Sequence, residues 1–394
     1  MKGAALVIGA ALALGPAGAT GADNKAEKRN LELLGYHDLQ GRSAYQPVIQ
    51  RQGGRWIAYV GHHGGRLPNA LTGEPEDSGT SILDVTDPRR TAYLAHIPGE
   101  PGGGAQMVRV CAGAGLPRAD EAKTYLLRTL GERAQEIWDV SVPAKPSPLK
   151  TIVSGLNGTH KNWWECDTGI AYLVVGSPEW RTHRMTQVWD LGDPAHPVFI
   201  RDFGLPGQQP GSSGPVPTGL HGPISTGREG NRVYFGYGTH RDGVLQIVDR
   251  KKLLEGPKEP TRENLLYPQV GRLDLPPTQG AHTTLPLPQM PLAEFSKDAV
   301  GAVRDFVMIV NEQILDECRE ARQLVWFADV TAEAVPFSVS NFNVPEASGN
   351  FCSRGGRFGA HSSNENQPPM YARRLVFVAW FNAGVRAIDI RDPY

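Results

Sequence analysis

The chain has 394 residues, and its 40 Lys and Arg nearly balance 41 Asp and Glu, for a formal net charge of −1. Without a long run of one sign there is no surface to track a phosphate backbone, so nucleic acid is not an expected partner. The length alone suggests two or three domains, unless the chain is built from repeats.

Residues 1–22 read as a secretory signal peptide. Lys2 supplies a positive start, Ala4 to Leu14 an apolar stretch, and Ala17-Gly18-Ala19 a small-residue cleavage site. The apolar run is too short to cross a bilayer, and no later stretch of about 18 uninterrupted apolar residues follows, so no stable membrane insertion is expected. These features predict a periplasmic or secreted protein. In such a compartment Cys111, Cys166, Cys318 and Cys352 permit up to two disulfides, in three possible connectivities.

The remainder, 23–394, contains a repeat. Six short apolar strands carry an aspartate: Ser81 to Val85, Glu136 to Val140, Gln187 to Leu191, Gln246 to Arg250, Trp326 to Val330 and Ala387 to Ile390, with the aspartates 55, 51, 59, 80 and 60 residues apart. Asp-Pro follows at Asp87-Pro88, Asp193-Pro194 and Asp392-Pro393, a turn that ends the strand because proline cannot donate to the ladder. The third unit shows four strands, near Lys161 to Glu165, Ile170 to Gly176, the aspartate strand and Pro197 to Phe203. The turns between them are rich in Gly, Pro, Asn and Asp.

Four antiparallel strands per unit predict an all-β fold: one domain, a six-bladed β-propeller with blades at approximately 43–98, 104–153, 158–205, 219–275, 280–344 and 359–394. The last unit ends at Tyr394 without a fourth strand. Residues 31–39 (LELLGYHDL) read as an orphan strand, expected to pair with Ala387 to Ile390 and close the ring, which would remove a free sheet edge. The alternative is a last blade that stays incomplete.

The strands Leu245 to Asp249 and Phe381 to Pro393 resemble the LVIVD repeat of exported bacterial β-propellers. The resemblance implies the architecture and hardly any chemistry.

A second signature opens the units: Gly158-Thr159-His160, Gly219-Leu220-His221, Gly280-Ala281-His282 and Gly359-Ala360-His361, with Gly104-Ala105-Gln106 in unit two and a degenerate version near Ala44-Tyr45 in unit one. This position begins the innermost strand, so circular symmetry should gather His160, His221, His282 and His361 around the channel mouth. Imidazole is a preferred ligand for copper, iron and zinc, and the ring is read as a metal site with copper favoured. The alternative is a copied structural residue, each His bonding a neighbouring blade's main chain.

His62, His63, His240 and Glu312 fall on loops of the same rim, and Tyr45 and Gln106 fill the ring positions that lack histidine. Trp163 and Trp164 follow His160 closely, so alternation turns one of them, read as Trp164, toward the channel. The insertion Glu312 to Gln323 brings Cys318 to the rim, and Cys352 lies in the loop leading to His361, so a Cys318–Cys352 bond would staple a lid over the site. Cys111 and Cys166 occupy similar places on neighbouring inner strands and could also meet.

Two function classes follow. The ring's arrangement resembles that of the selenium-binding protein and methanethiol oxidase propellers, and more distantly the carotenoid oxygenases, whose four propeller histidines hold iron. That resemblance implies a metal-dependent oxidoreductase acting on a small-molecule substrate, although neither family's full motif set is present. The other class is a non-enzymatic scaffold whose loop-rich rim binds another exported protein or a surface polymer. No Gly-x-Ser-x-Gly elbow, Gly-rich phosphate loop, Cys-x-x-Cys or His-Glu-x-x-His occurs.

Overall fold

The computed structural model describes residues 28–292, 301–346 and 349–394; residues 1–22, expected to be a signal peptide, lie outside the described residues. Blade one is built from β1 (Tyr45–Gln52), β2 (Arg55–Gly61), a rim hairpin of β3 (Arg66–Pro68) and β4 (Pro75–Asp77), then β5 (Thr80–Asp84) and β6 (Ala92–Ile97). Blade two holds β7 (Val108–Ala112), β8 (Thr124–Leu130), β9 (Ala134–Asp139) and β10 (Ser147–Ser154). Blade three holds β11 (Trp163–Trp164), β12 (Ile170–Val175), β13 (Met185–Asp190) and β14 (Val198–Phe203). Blade four follows with β15 (Leu220–Ser225), β16 (Arg232–Tyr237), β17 (Val244–Asp249) and β18 (Gln269–Asp274). Blade five has β19 (Thr283–Pro291), β20 (Val303–Val310), β21 (Val325–Asp329) and β22 (Phe337–Phe342), and blade six has β23 (Ser362–Ser363), β24 (Leu375–Trp380) and β25 (Gly384–Asp389).

Within each blade the strands pair antiparallel in chain order, giving the six-bladed β-propeller. The repeated aspartate ends the third strand and receives the turn that follows: Thr86 N donates to Asp84, Ser141 N to Asp139 and Thr331 N to Asp329. The second strands are the most apolar because both of their faces are covered by neighbouring blades. All six residues of β12 are buried, whereas the outer strand β14 keeps exposed positions. A continuous apolar run is what such a doubly covered strand requires. The core is accordingly a set of inter-blade layers, such as Leu127 and Ile137 with Tyr172, Val188, Phe235 and Val248 across blades two to four.

The Gly-x-His signature has a structural duty of its own. The main-chain N–H of its middle residue donates to the preceding blade's rim loop at Leu220 to Arg184 O and Ala281 to Gly238 O, as does Ala105 to His62 O in the Gly-Ala-Gln counterpart, and in the last blade Gln313 N donates to Ala360 O. At Gly280 a Cβ would stand 1.9 Å from Thr239 O. Only glycine lets the two blades approach that closely.

The ring closure differs from the sequence expectation. Among the described residues blade six has three strands, and 31–38 adopts no strand pairing with β25. The segment lies along blade one instead, where His37 stacks on Tyr93 at 5.6 Å and Leu39 joins Ala58, Val60 and Leu83 in an apolar cluster. These contacts hold the arm on blade one, and Leu31, Leu33, Leu34 and Tyr36 remain exposed. The chain end is tied backward to blade five, with Tyr394 against Phe306 and Ser340 Oγ donating to Pro393 O.

Two disulfides cross blade boundaries. Cys111–Cys166 joins β7 of blade two to the turn after β11 of blade three, and Cys318–Cys352 joins the blade-five insertion to the loop before blade six.

Candidate metal centre

The four ring histidines are placed by one rule. His160 N bonds Val174 O, His282 N bonds Val310 O and His361 N bonds Ala379 O, each to the second strand of its own blade, while His221 lies within β15. The heads of the inner strands turn the four side chains to one point, with a register shift in the β15–β16 pairing at His221. His160 Nε2 and His221 Nε2 are 2.9 Å apart, and ring centroids are 4.2 Å apart for His160 and His221, 3.8 Å for His221 and His282 and 4.8 Å for His282 and His361. Three are buried, and the His361 side chain is 20% exposed.

Two oxygen donors complete the cluster. The Tyr45 hydroxyl lies 3.5 Å from His160 Nε2 and 3.4 Å from His282 Nε2. Glu312 sits with one carboxylate oxygen 3.5 Å from His221 Nε2 and 3.9 Å from His282 Nε2, and the other 3.6 Å from His361 Nε2 and 3.2 Å from the Arg357 guanidinium. The groups His160, His221, His282 and His282, Glu312, His361 each bring their ligand atoms within 4.8 Å of one another. They share His282, whose Nδ1 is engaged by Thr283 Oγ1 at 2.9 Å. The two groups overlap at that one residue, so an ion held by either would be shared through it.

The spacing suits such an ion. Two ligands about 2.0–2.1 Å from a metal stand about 2.9 Å apart at a right angle and about 3.4 Å apart at the tetrahedral angle, the range spanned by the His160–His221 and Tyr45 contacts. His160 Nδ1 is buried without a hydrogen-bond partner, so the tautomer of that ring is not set by a neighbour through that atom.

Burial holds the ring neutral. Desolvation pushes His160, His221 and His282 well below the usual imidazole value, with Lys161 adding positive charge near all three and Arg184 near His160 and His221, and brings His361 down to about 4 despite the Glu312 carboxylate. Neutral imidazole is the form that ligates a metal. Desolvation, reinforced by the Glu312 and Glu365 charges, raises the Tyr45 phenol well above its ordinary value.

Beneath the ring lies a layer of charged groups. Lys161 Nζ donates to Thr283 Oγ1 at 2.7 Å and contacts Glu365 Oε1 at 2.5 Å, and the Arg109 guanidinium pairs with Glu365 from blade two. Thr283 thus links Lys161 to His282, and the pairing of blades two, three and six fills the channel below the imidazoles. Burial pulls the Lys161 ammonium down, while the Arg109 and Lys161 charges overcome burial and hold Glu365 at about 2. Sequence reasoning misses Lys161, Thr283, Glu365 and Arg109, whose signal is a polar or charged side chain on or beside an inner strand otherwise destined for the core.

The remaining rim candidates separate. His63 packs edge-on against Tyr45, with centroids 5.4 Å apart, so it borders the site. His62 does not: its Nδ1 bonds Ser43 O and its Nε2 lies 2.7 Å from Ser81 Oγ, which makes it a buried core histidine of blade one. His240 is half-buried and Gln106 half-exposed, and neither hydrogen-bonds a ring histidine. Trp164 faces the inter-blade core rather than the channel, while Trp163 lies under the Arg109 guanidinium at 4.9 Å. Simple alternation from His160 fails here because β11 is only two residues long and follows an irregular stretch. The Cys318–Cys352 bond ties the loop carrying Glu312 to the loop carrying Arg357 and His361, where Glu317 N also donates to Gly356 O.

No known protein family and no curated protein matches the chain in sequence. Its fold is similar to that of a solved protein from Lactobacillus plantarum, at 10% identity and a TM-score of 0.51 over 88% of this chain and 80% of that one. A chain of a mitotic checkpoint complex aligns over 100% of this chain and 99% of its own, at 10% identity and a TM-score of 0.46.

Proposed function

We propose that this propeller is an exported metalloprotein that holds one redox-active transition metal at its channel mouth and oxidises or reduces a small substrate there. The observation that carries the reading is the convergence of three buried, neutral imidazoles, His160, His221 and His282, with His361 and Glu312 completing the donor set. Copper and iron both suit imidazole, and the Glu312 carboxylate, a hard donor, favours cupric copper or iron over the cuprous ion. When bound, the metal supplies electron transfer and an open position for substrate. The protein's own part is to hold the donors, to close the channel beneath with Lys161, Arg109 and Glu365, and to leave access from the rim. The two disulfides fit an oxidising compartment, in keeping with a periplasmic or secreted location.

A second reading has its own support. The edge of β25, unpaired among the described residues, and the exposed Leu31, Leu33, Leu34 and Tyr36 suit a scaffold that docks another exported protein, with the histidines structural or holding zinc. Metal analysis of the purified mature protein, repeated on His221→Ala and His282→Ala, separates the two. Stoichiometric copper or iron lost in both variants supports the metal enzyme. Absence of metal, or zinc alone, favours the scaffold.

A further inference from the structure

Tyr45 stands where blade one should carry its copy of the ring residue, and it faces the two imidazoles that Glu312 serves least. Its hydroxyl contacts His160 and His282, whereas the Glu312 carboxylate contacts His221, His282 and His361. Together the two side chains cover all four histidines and overlap only at His282. The 3.4–3.5 Å spacing from Tyr45 to each Nε2 is that of neighbouring ligands on one ion about 2.0–2.1 Å away.

The backbone is shaped to put the phenol there. The pairing of β1 with β2 shifts register between Tyr45 and Val48, and Gln46, directly after Tyr45, has φ of 38°. A non-glycine residue in the left-handed region is uncommon, and bulges of this kind re-aim a side chain. The Tyr45 ring is buried and braced edge-on by His63 and His361.

We propose that Tyr45 is itself a ligand of the metal, its phenol oxygen entering the coordination sphere beside the imidazoles. The inference rests on the metal-site reading above. On binding, the metal–oxygen bond forms, the O–H bond breaks and one proton is released to solvent. An oxygen donor of this kind stabilises the higher oxidation state, so the site would favour ferric or cupric ions.

The test is to load the mature, metal-free protein with ferric iron and, separately, with cupric copper, measure the bound metal, and record the visible absorption spectrum. The expected result is one metal per chain with a phenolate-to-metal charge-transfer band, absent from Tyr45→Phe although that variant still binds metal. Metal bound by the wild-type chain without such a band, or a band unchanged in Tyr45→Phe, overturns the proposal and leaves the histidine site standing. Failure of the wild-type chain to bind either metal overturns both. If Tyr45→Phe does not fold, the resonance-enhanced vibrational spectrum of the wild-type complex decides: tyrosinate ring modes support ligation, and their absence refutes it.

Discussion

Replacing Glu365 with Gln tests whether the charged layer beneath the histidines stabilises the propeller. The carboxylate is the shared partner of two buried cations: the side chains of Lys161 and Glu365 are each 2% exposed, and that of Arg109 is 9% exposed. Removing one member of a buried ion cluster leaves uncompensated charge and is expected to destabilise by about 3–5 kcal/mol. The carboxyl itself gives a similar figure, since its value falls from 4.5 to about 2 on folding, equivalent to roughly 3 kcal/mol. At roughly 2 °C per kcal/mol for a chain of this size, Glu365→Gln should melt roughly 6–10 °C below wild type. The contribution is fully present above pH 4.5 and is lost as pH falls toward 2, so the two melting curves should converge in strong acid. Adding Lys161→Met to the variant should recover part of the loss, because one stranded cation is then removed. The assay is thermal unfolding by circular dichroism on chelator-treated protein at pH 7 and across the acid range. A Glu365→Gln melt within about 1 °C of wild type at pH 7 would refute the argument.

The metal-free protein should also lose stability between pH 6.5 and 4. His361 and His62 are both held at about 4 by burial, so over that window the unfolded chain binds more protons than the folded one; a flat melting temperature there would contradict this, and His361→Gln should make the acid limb shallower. Gly280→Ala should destabilise by about 1–3 kcal/mol and weaken metal binding, because its Cβ meets the Thr239 carbonyl at 1.9 Å beside the His282 turn. Gly219→Ala, whose nearest neighbour is 3.4 Å away, should melt close to wild type, and equal losses in the two variants would refute the account. Removing the Cys318–Cys352 bond by a double Ser substitution frees a 34-residue separation and should reduce stability by roughly 3–4 kcal/mol. It should also speed metal dissociation in a chelator-competition assay, because the Glu312 and His361 loops are no longer tied, and an unchanged dissociation rate would show that the staple does not support the site.

The sequence by itself determined the propeller and most of the ring. Six aspartate strands at repeated spacing demand like units, and a four-stranded unit with two apolar faces can be covered only by its neighbours. Once the units close in a circle, Gly-x-His at the head of each inner strand must meet across the axis, so His160, His221, His282 and His361 were legible from position alone. Other features depended on contacts that no repeat encodes. The arm at 31–39 carries a strand's composition, yet Leu39 and His37 find partners on blade one, and the last blade has three strands among the described residues. His62 shares the rim with the ring but is claimed by Ser43 and Ser81. The joining of Lys161, Glu365 and Arg109 beneath the imidazoles, and the overlap of two donor groups at His282, arise from side chains of different blades. Symmetry fixes where each inner strand begins, whereas partner choice depends on distances across the axis that exist only after the ring has formed.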